Sequence, residues 1–92
     1  MKTFTINGSH LNNLDDFYDT IEKLFLQNID FKFGRNLDAF SDILSGGFGS
    51  FDEEEKIEII WKDFEVSRKN LKNIDIIEEI ITEQEHIILK KA

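Results

Sequence analysis

The sequence predicts a small α/β protein with three parallel strands and about four helices. Short β-prone segments occur near the start, in the middle and at the end of the 92-residue chain, and apolar residues at helical spacing fill the stretches between them. Strands separated by long helical segments need crossover connections, so they are expected to run parallel. A chain of this length fits one domain, which we expect to span residues 1–92.

The first strand and the first helix are predicted close to the N-terminus. Lys2 to Ile6 alternates polar and apolar residues, which favours a strand, and Asn7-Gly8 is a turn signal. An amphipathic helix should follow, with Asn12 or Asn13 as its N-cap. Its apolar positions are Leu14, Phe17, Ile21, Leu24 and Phe25.

The second helix is predicted from Leu37 to Ser45. Asn36 is suited to cap its N-terminus, and a run of glycines (Gly46, Gly47 and Gly49) is suited to end it. The segment before this helix is expected to be irregular, and residues 50–55 are expected to form an exposed acidic loop.

The second half of the chain should contain two strands and two helices. We predict a strand from Lys56 to Trp61, helices from Phe64 to Leu71 and from Ile74 to Gln84, and a closing strand from His86 to Leu89. The buried side of the last helix should consist of Ile77, Ile80 and Ile81.

The net charge of the chain favours some classes of binding partner and disfavours others. Nineteen acidic residues against eleven basic ones give a net charge of -8. This charge disfavours nucleic acid, whose phosphates attract Lys and Arg, and it disfavours anionic membrane surfaces. It favours a basic protein, because opposite charge speeds their encounter. The alternative is that the acidic residues only confer solubility.

Targeting signals and cysteine chemistry are absent from the sequence. The first residues carry no apolar signal core, no stretch is long enough to span a bilayer, and there is no cysteine. A disulfide framework and a thiolate metal site are therefore excluded. We expect a cytoplasmic protein.

Catalytic motifs are equally scarce. The two histidines, His10 and His86, belong to no recognisable nucleophile motif, and structural or surface roles suit them better. The acidic run from Asp52 to Glu55 lacks the ligand spacing of a calcium loop, and Gly46 to Gly49 lacks the Lys-Ser/Thr pair of a phosphate loop. We expect no cofactor, no metal and no enzymatic activity.

The informative segment runs from Phe33 to Gly46. On a helix its apolar and polar residues separate to opposite sides: Leu37, Phe40 and Leu44 against Asp38, Asp42 and Ser45. Two aspartates four residues apart repel each other and destabilise a helix by a few tenths of a kcal/mol, roughly. Local stability does not account for them, although an ordinary solvated face remains an alternative.

This segment resembles the signature of the barstar family. The residues that carry the resemblance are Phe33-Gly34, Asn36-Leu37-Asp38-Ala39-Phe40, Asp42, Leu44 and Gly46. The first strand ending in Asn7-Gly8 is similar to the family too, as is the strand ending in Trp61 with Ser67 in the following helix. The resemblance covers essentially the whole chain and implies a three-stranded parallel sheet with four helices.

The resemblance also implies a function and a site. Family members plug the active site of a guanyl-specific ribonuclease with the second helix and the segment before it. The aspartate matching Asp42 occupies the enzyme's phosphate site, and the one matching Asp38 contacts further basic and polar groups. Other positions implied to touch the enzyme are Phe33, Asn36, Ser45 and Gly46, with Glu79 and Glu83 adding charge at the rim.

Two departures from the family pattern concern the choice of partner. Lys32 stands where the type member has an interface tyrosine, and a lysine would repel a basic cleft. The loop from Gly46 to Lys56 is longer, with Gly47 in place of an interface tryptophan. These changes favour a branch of the family with its own target.

Three hypotheses follow. The first is a cytoplasmic inhibitor or immunity protein that binds a basic secreted ribonuclease or related toxin one to one, occluding its active site with an acidic helix that mimics phosphate. The second is an adaptor of similar structure that binds a different basic protein. The third, an enzyme on a small α/β scaffold, is disfavoured by the scarcity of His and Cys.

Overall fold

The computed structural model of the protein describes residues 1–26, 34–45 and 55–92. Within these segments the chain forms three strands, four α-helices and one short 3-10 helix. Their bounds are β1 Lys2–Asn7, the 3-10 helix Gly8–His10, α1 Leu14–Phe25, α2 Leu37–Ser45, β2 Ile57–Lys62, α3 Phe64–Asn70, α4 Ile74–Thr82 and β3 Ile87–Lys91.

The strands form one parallel sheet in the order β1-β2-β3. In register, Phe4 of β1 lies beside Ile59 of β2, and Ile59 lies beside Leu89 of β3. Both pairings are parallel because helical crossovers join the strands. The predicted fold class, a three-stranded parallel sheet with four helices, is confirmed.

One face of the sheet carries the hydrophobic core. In the central strand Ile57, Ile59 and Trp61 are buried, with at most 1% of their surface exposed. The helices α1, α2 and α4 contribute buried side chains to the same cluster, chiefly Phe17, Phe25, Phe40, Leu44, Ile77 and Ile81. These helices therefore form a layer over the covered face.

On the other face of the sheet, here called the open face, the strand side chains are exposed or only partly buried in the described part of the chain, although parallel sheets are usually covered on both sides. Thr3, Glu58 and Ile88 form one row across it. Lys90 Nζ lies 2.8 Å from Glu58 Oε2, and the Thr3 hydroxyl donates to Glu58 Oε1 over 3.4 Å. The hydrogen bond from Lys90 lowers the pKa of Glu58. Polar contacts thus join the three strands on this face.

Stacked rings anchor α2 above the sheet. The Phe17 ring lies parallel to the Trp61 indole, with centroids 5.9 Å apart and planes at 10°. Phe40 of α2 meets Phe17 edge-on, with centroids 5.1 Å apart and planes at 77°. Edge-to-face and offset contacts between rings are favourable beyond simple burial. This chain of rings holds α2 over the centre of the sheet.

A buried junction joins the 3-10 helix, β2 and α3. Trp61 Nε1 donates to Ser67 Oγ over 2.9 Å, and the Ser67 hydroxyl donates to the carbonyl of Gly8 over 3.0 Å. A Cβ on Gly8 would lie 2.5 Å from Ser67 Oγ and 2.7 Å from the carbonyl oxygen of Asp63. Position 8 therefore accepts only glycine without rearrangement.

The sequence-based boundaries differ from the structure by one or two residues. The helix predicted to reach Leu71 ends at Asn70, the one predicted to reach Gln84 ends at Thr82, and the last strand continues to Lys91. In the last helix Ile77 and Ile81 are buried, whereas Ile80 is only partly buried. The glycines predicted to end the second helix lie outside the described residues, and so does most of the predicted acidic loop.

Candidate functional site

The N-terminus of α2 is capped as the sequence predicts. Asn36 Oδ1 accepts a hydrogen bond from the backbone N–H of Ala39 over 2.8 Å. Such a bond satisfies one of the free amides that begin every helix. Asp38 lies in the first turn, where the helix dipole favours negative charge. The Asn36 cap thus marks where the helix starts, and Asp38 carries a charge that suits this end of it.

The two faces of α2 separate as expected. Phe40, Ile43 and Leu44 are buried, and Asp38, Asp42 and Ser45 are exposed. The Ser45 hydroxyl donates to the carbonyl of Ser41 over 3.1 Å within the helix. Burial of the apolar face fixes the rotation of α2, so both aspartates must face solvent.

The exposed carboxylates of α2 and α4 have few cations near them in the described part of the chain. Among the described residues, no Lys or Arg nitrogen forms an ion pair with Asp38, Asp42, Glu79 or Glu83, which we call the acidic surface. Glu79 and Glu83 are exposed on α4 and at its C-terminal cap, and α4 packs against α2. Four charges without an ion-pair partner in residues 1–26, 34–45 and 55–92 therefore lie on these two neighbouring helices or at the end of α4.

Asp75 extends the same row on α4. It lies four residues before Glu79, is exposed, and likewise has no ion-pair partner among the described residues. Residues four apart share a face of a helix. Asp75 was not predicted from the sequence, although the spacing of positions 75, 79 and 83 could have indicated it.

The carboxylates of α1 are in the opposite situation. Arg35 Nη1 lies 2.9 Å from Glu22 Oε1, and Nη2 lies 3.0 Å from Asp19 Oδ1 and 2.9 Å from the backbone carbonyl of Asp15. The guanidinium also lies over the Tyr18 ring, 5.8 Å from its centroid. The hydrogen bond to Asp19 raises the pKa of Arg35 most, and the hydrogen bond to Glu22 raises it further. One cation thus engages the acidic side of α1.

The C-terminal end of α2 is held by His86. Its Nε2 lies 2.8 Å from the carbonyl oxygen of Leu44, so Nε2 carries the hydrogen and donates. The backbone carbonyl of His86 accepts from the N–H of Ile57 over 2.9 Å. His86 therefore connects the end of α2 with the beginnings of β2 and β3.

A family model fits this arrangement. The model of Barstar (barnase inhibitor) matches residues 1–90. The chain belongs to the Barstar family. No curated protein matches it. The described fold, with three parallel strands and four α-helices, agrees with a barstar-like fold.

Membership in the Barstar family makes this a barnase-inhibitor-like protein, and the family consists of inhibitors rather than enzymes. Within residues 1–26, 34–45 and 55–92 no helix has the length and apolar content to cross a membrane. The same residues contain no group of three His, Asp or Glu side chains arranged to hold a metal ion.

The predicted contact residues fall into two groups. Asn36, Asp38, Asp42 and Ser45 lie together on α2 or at its start, with Glu79 and Glu83 on the neighbouring α4. Phe33 and Gly46 lie outside the described residues, as do Lys32 and most of the loop from Gly46 to Lys56. Their roles stay predictions.

Two residues near the ends of α2 that make long-range contacts, Arg35 and His86, were missed by sequence reasoning. Asp15, Asp19 and Glu22 recur at helical spacing on α1 and so indicate a need for a nearby cation. Arg35, the one arginine between α1 and α2, was the available candidate. No comparable signal exists for His86, whose contact joins residues 42 positions apart.

Proposed function

We propose that this protein inhibits a basic ribonuclease, or a related nuclease toxin, by covering its active site with the exposed face of α2. Asp42 and Asp38 take the place of substrate phosphates against the cationic groups of the enzyme. Inhibition is stoichiometric and one to one, because the inhibitor blocks access and turns nothing over. The protein acts in the cytoplasm, where it protects the cell that makes it.

The observation that carries this proposal is that Asp38 and Asp42 have no ion-pair partner among the described residues and lie on a helix whose opposite face is buried. A carboxylate already engaged in a salt bridge would have to give up its partner before binding an enzyme. A carboxylate on a fixed helix with no internal cation only loses water. The acidic surface is thus preorganised for a basic partner.

The remaining contacts are assigned by position. Asn36 and Ser45 flank the two aspartates at the beginning and end of α2, and Phe33 and Gly46 adjoin them in sequence. Glu79 and Glu83 lie at the rim, where charges chiefly speed association instead of adding to the final affinity. The net charge of -8 acts in the same direction.

The test is a titration of purified protein against a panel of basic bacterial ribonucleases, with RNA cleavage as the readout. Inhibition that reaches completion at one equivalent supports the proposal. Asp42→Asn should abolish most of it. The matched control is Glu65→Gln, which removes one negative charge from α3, where Glu65 is 78% exposed and pairs with Arg68.

Failure to inhibit any ribonuclease of the panel at micromolar concentration would contradict the proposal. The adaptor hypothesis would then take its place, since an adaptor binds a basic protein and leaves nuclease activity intact.

A further inference from the structure

Arg35 is the most highly connected side chain at the edge of the proposed binding helix. It lies two residues before α2, yet every hydrogen bond described for its guanidinium goes to α1: to Glu22, to Asp19 and to the backbone of Asp15. The contact with the Tyr18 ring adds a fourth attachment to the same helix.

The backbone conformation of Arg35 indicates that its position is held by the surrounding structure. Its φ is 52°, in the left-handed region that non-glycine residues rarely adopt. Such conformations persist only where the surroundings hold them. The next residue, Asn36, caps α2 through Ala39, so any movement of Arg35 is passed directly to the cap.

The same guanidinium changes the charge pattern of the protein. Without Arg35, the three carboxylates of Asp15, Asp19 and Glu22 would form a second acidic row on α1. With it, one of these three charges is balanced and the row is less negative. Arg35 therefore weakens the attraction of α1 for a basic partner relative to that of the acidic surface.

We propose that Arg35 is a positioning residue for the inhibitory site: it fixes the N-terminal end of α2 against α1, and it makes α1 less negative relative to the acidic surface. This proposal rests on the proposed function for its binding readout. It predicts that the association and dissociation rate constants respond differently to substitutions of Arg35, Asp19 and Glu22.

Arg35→Gln should increase the dissociation rate constant roughly tenfold, because the cap and the aspartates lose their fixed orientation. The association rate constant should rise slightly, since the variant is one unit more negative. The matched control is Arg68→Gln, which removes an arginine that also pairs with a glutamate and lies over an aromatic ring, but on α3. Arg68→Gln should change the association rate constant and leave the dissociation rate constant unchanged.

A double variant, Asp19→Asn with Glu22→Gln, removes the partners and leaves Arg35 in place. Dissociation should again become faster, but association should become slower, because two negative charges are lost. Arg35→Lys keeps the charge and cannot reproduce the fork of donors. Arg35→Lys should therefore associate at the wild-type rate and dissociate faster than the wild type. A role limited to charge would leave dissociation unchanged in all three variants, which would overturn the proposal.

Amide hydrogen exchange separates this proposal from the proposed function. In the free protein, Arg35→Gln should speed exchange at Ala39, whose N–H is bound by the cap, and spare the amides of β2. If the wild type binds no ribonuclease, the proposed function fails while this readout still tests the placement of α2. Unchanged exchange at Ala39 in both Arg35→Gln and the double variant would contradict the positioning role.

Discussion

The imidazole Nε2 of His86 donates to the carbonyl oxygen of Leu44 across 2.8 Å, joining the last turn of α2 to the start of β3. Leu44 has no exposed surface, so its carbonyl has little access to water as a substitute. Together with the Asn36 cap at the other end, this contact means that α2 is bonded at both termini by side chains from outside the helix.

His86→Ala should therefore destabilise the protein. Leaving a buried carbonyl without its donor costs about 1–3 kcal/mol in the free energy of unfolding. The measurement is urea denaturation, with His10→Ala as control, because His10 is exposed. His86→Gln, which retains a donor, should recover part of the loss. Equal midpoints for the two alanine variants would show that the contact does not stabilise the fold.

Ser67→Ala should destabilise the protein without affecting the partner. It removes the acceptor of Trp61 Nε1–H and the donor to Gly8, both buried. We expect a loss of about 1–3 kcal/mol in the free energy of unfolding. Ser9→Ala, at an exposed serine that bonds to Asn7, is the control and should be nearly neutral. Weaker inhibition by folded Ser67→Ala protein would contradict a purely structural role.

Asp42→Ala should weaken the complex most, and Asp38→Ala should come next. Removing one partner of a buried interfacial charge pair typically costs about 2–5 kcal/mol of binding free energy, and complexes of this family are among the measured examples. Thermal stability should hardly change, because removing either aspartate relieves an i, i+4 repulsion on α2. Calorimetry of binding and thermal unfolding of the same samples test this. A marked fall in melting temperature for both variants would identify the aspartates as structural.

Neutralising Glu79 and Glu83 together should slow association and leave dissociation almost unchanged. Charges at the rim steer the encounter over distances set by the Debye length, about 8 Å at physiological ionic strength. Stopped-flow association at several salt concentrations should show a flatter salt dependence for the double variant. An association rate of the wild type that is indifferent to salt would exclude electrostatic steering.

Glu58 should give the open sheet face a pH-dependent contribution to stability. Because Lys90 lowers its pKa in the folded protein, the stabilisation is present above the unfolded pKa and is lost as pH falls through the folded pKa. The difference in unfolding free energy between wild type and Glu58→Gln should therefore shrink in acid. A difference that stays constant from neutral to acidic pH would show that Glu58 titrates alike in both states.

The fold and the exposed face of α2 could be predicted because both depend on local patterns. The cap at Asn36 and the separation of Phe40 from Asp42 follow from helical spacing. The contacts that orient α2 could not be predicted in the same way. Arg35 reaches Glu22 across 13 positions, and His86 reaches Leu44 across 42. Such pairings depend on how the elements pack, and charge composition does not reveal which carboxylates find a cation.

The open face of the sheet has a practical consequence. The helices that carry the acidic surface lie over the covered face, so the exposed Thr5 of β1 projects from the opposite side. The chain has no cysteine, and Thr5→Cys would create a single thiol for coupling to a dye or a sensor chip. Protein captured through that thiol would present α2 and α4 outward, with the sheet against the support.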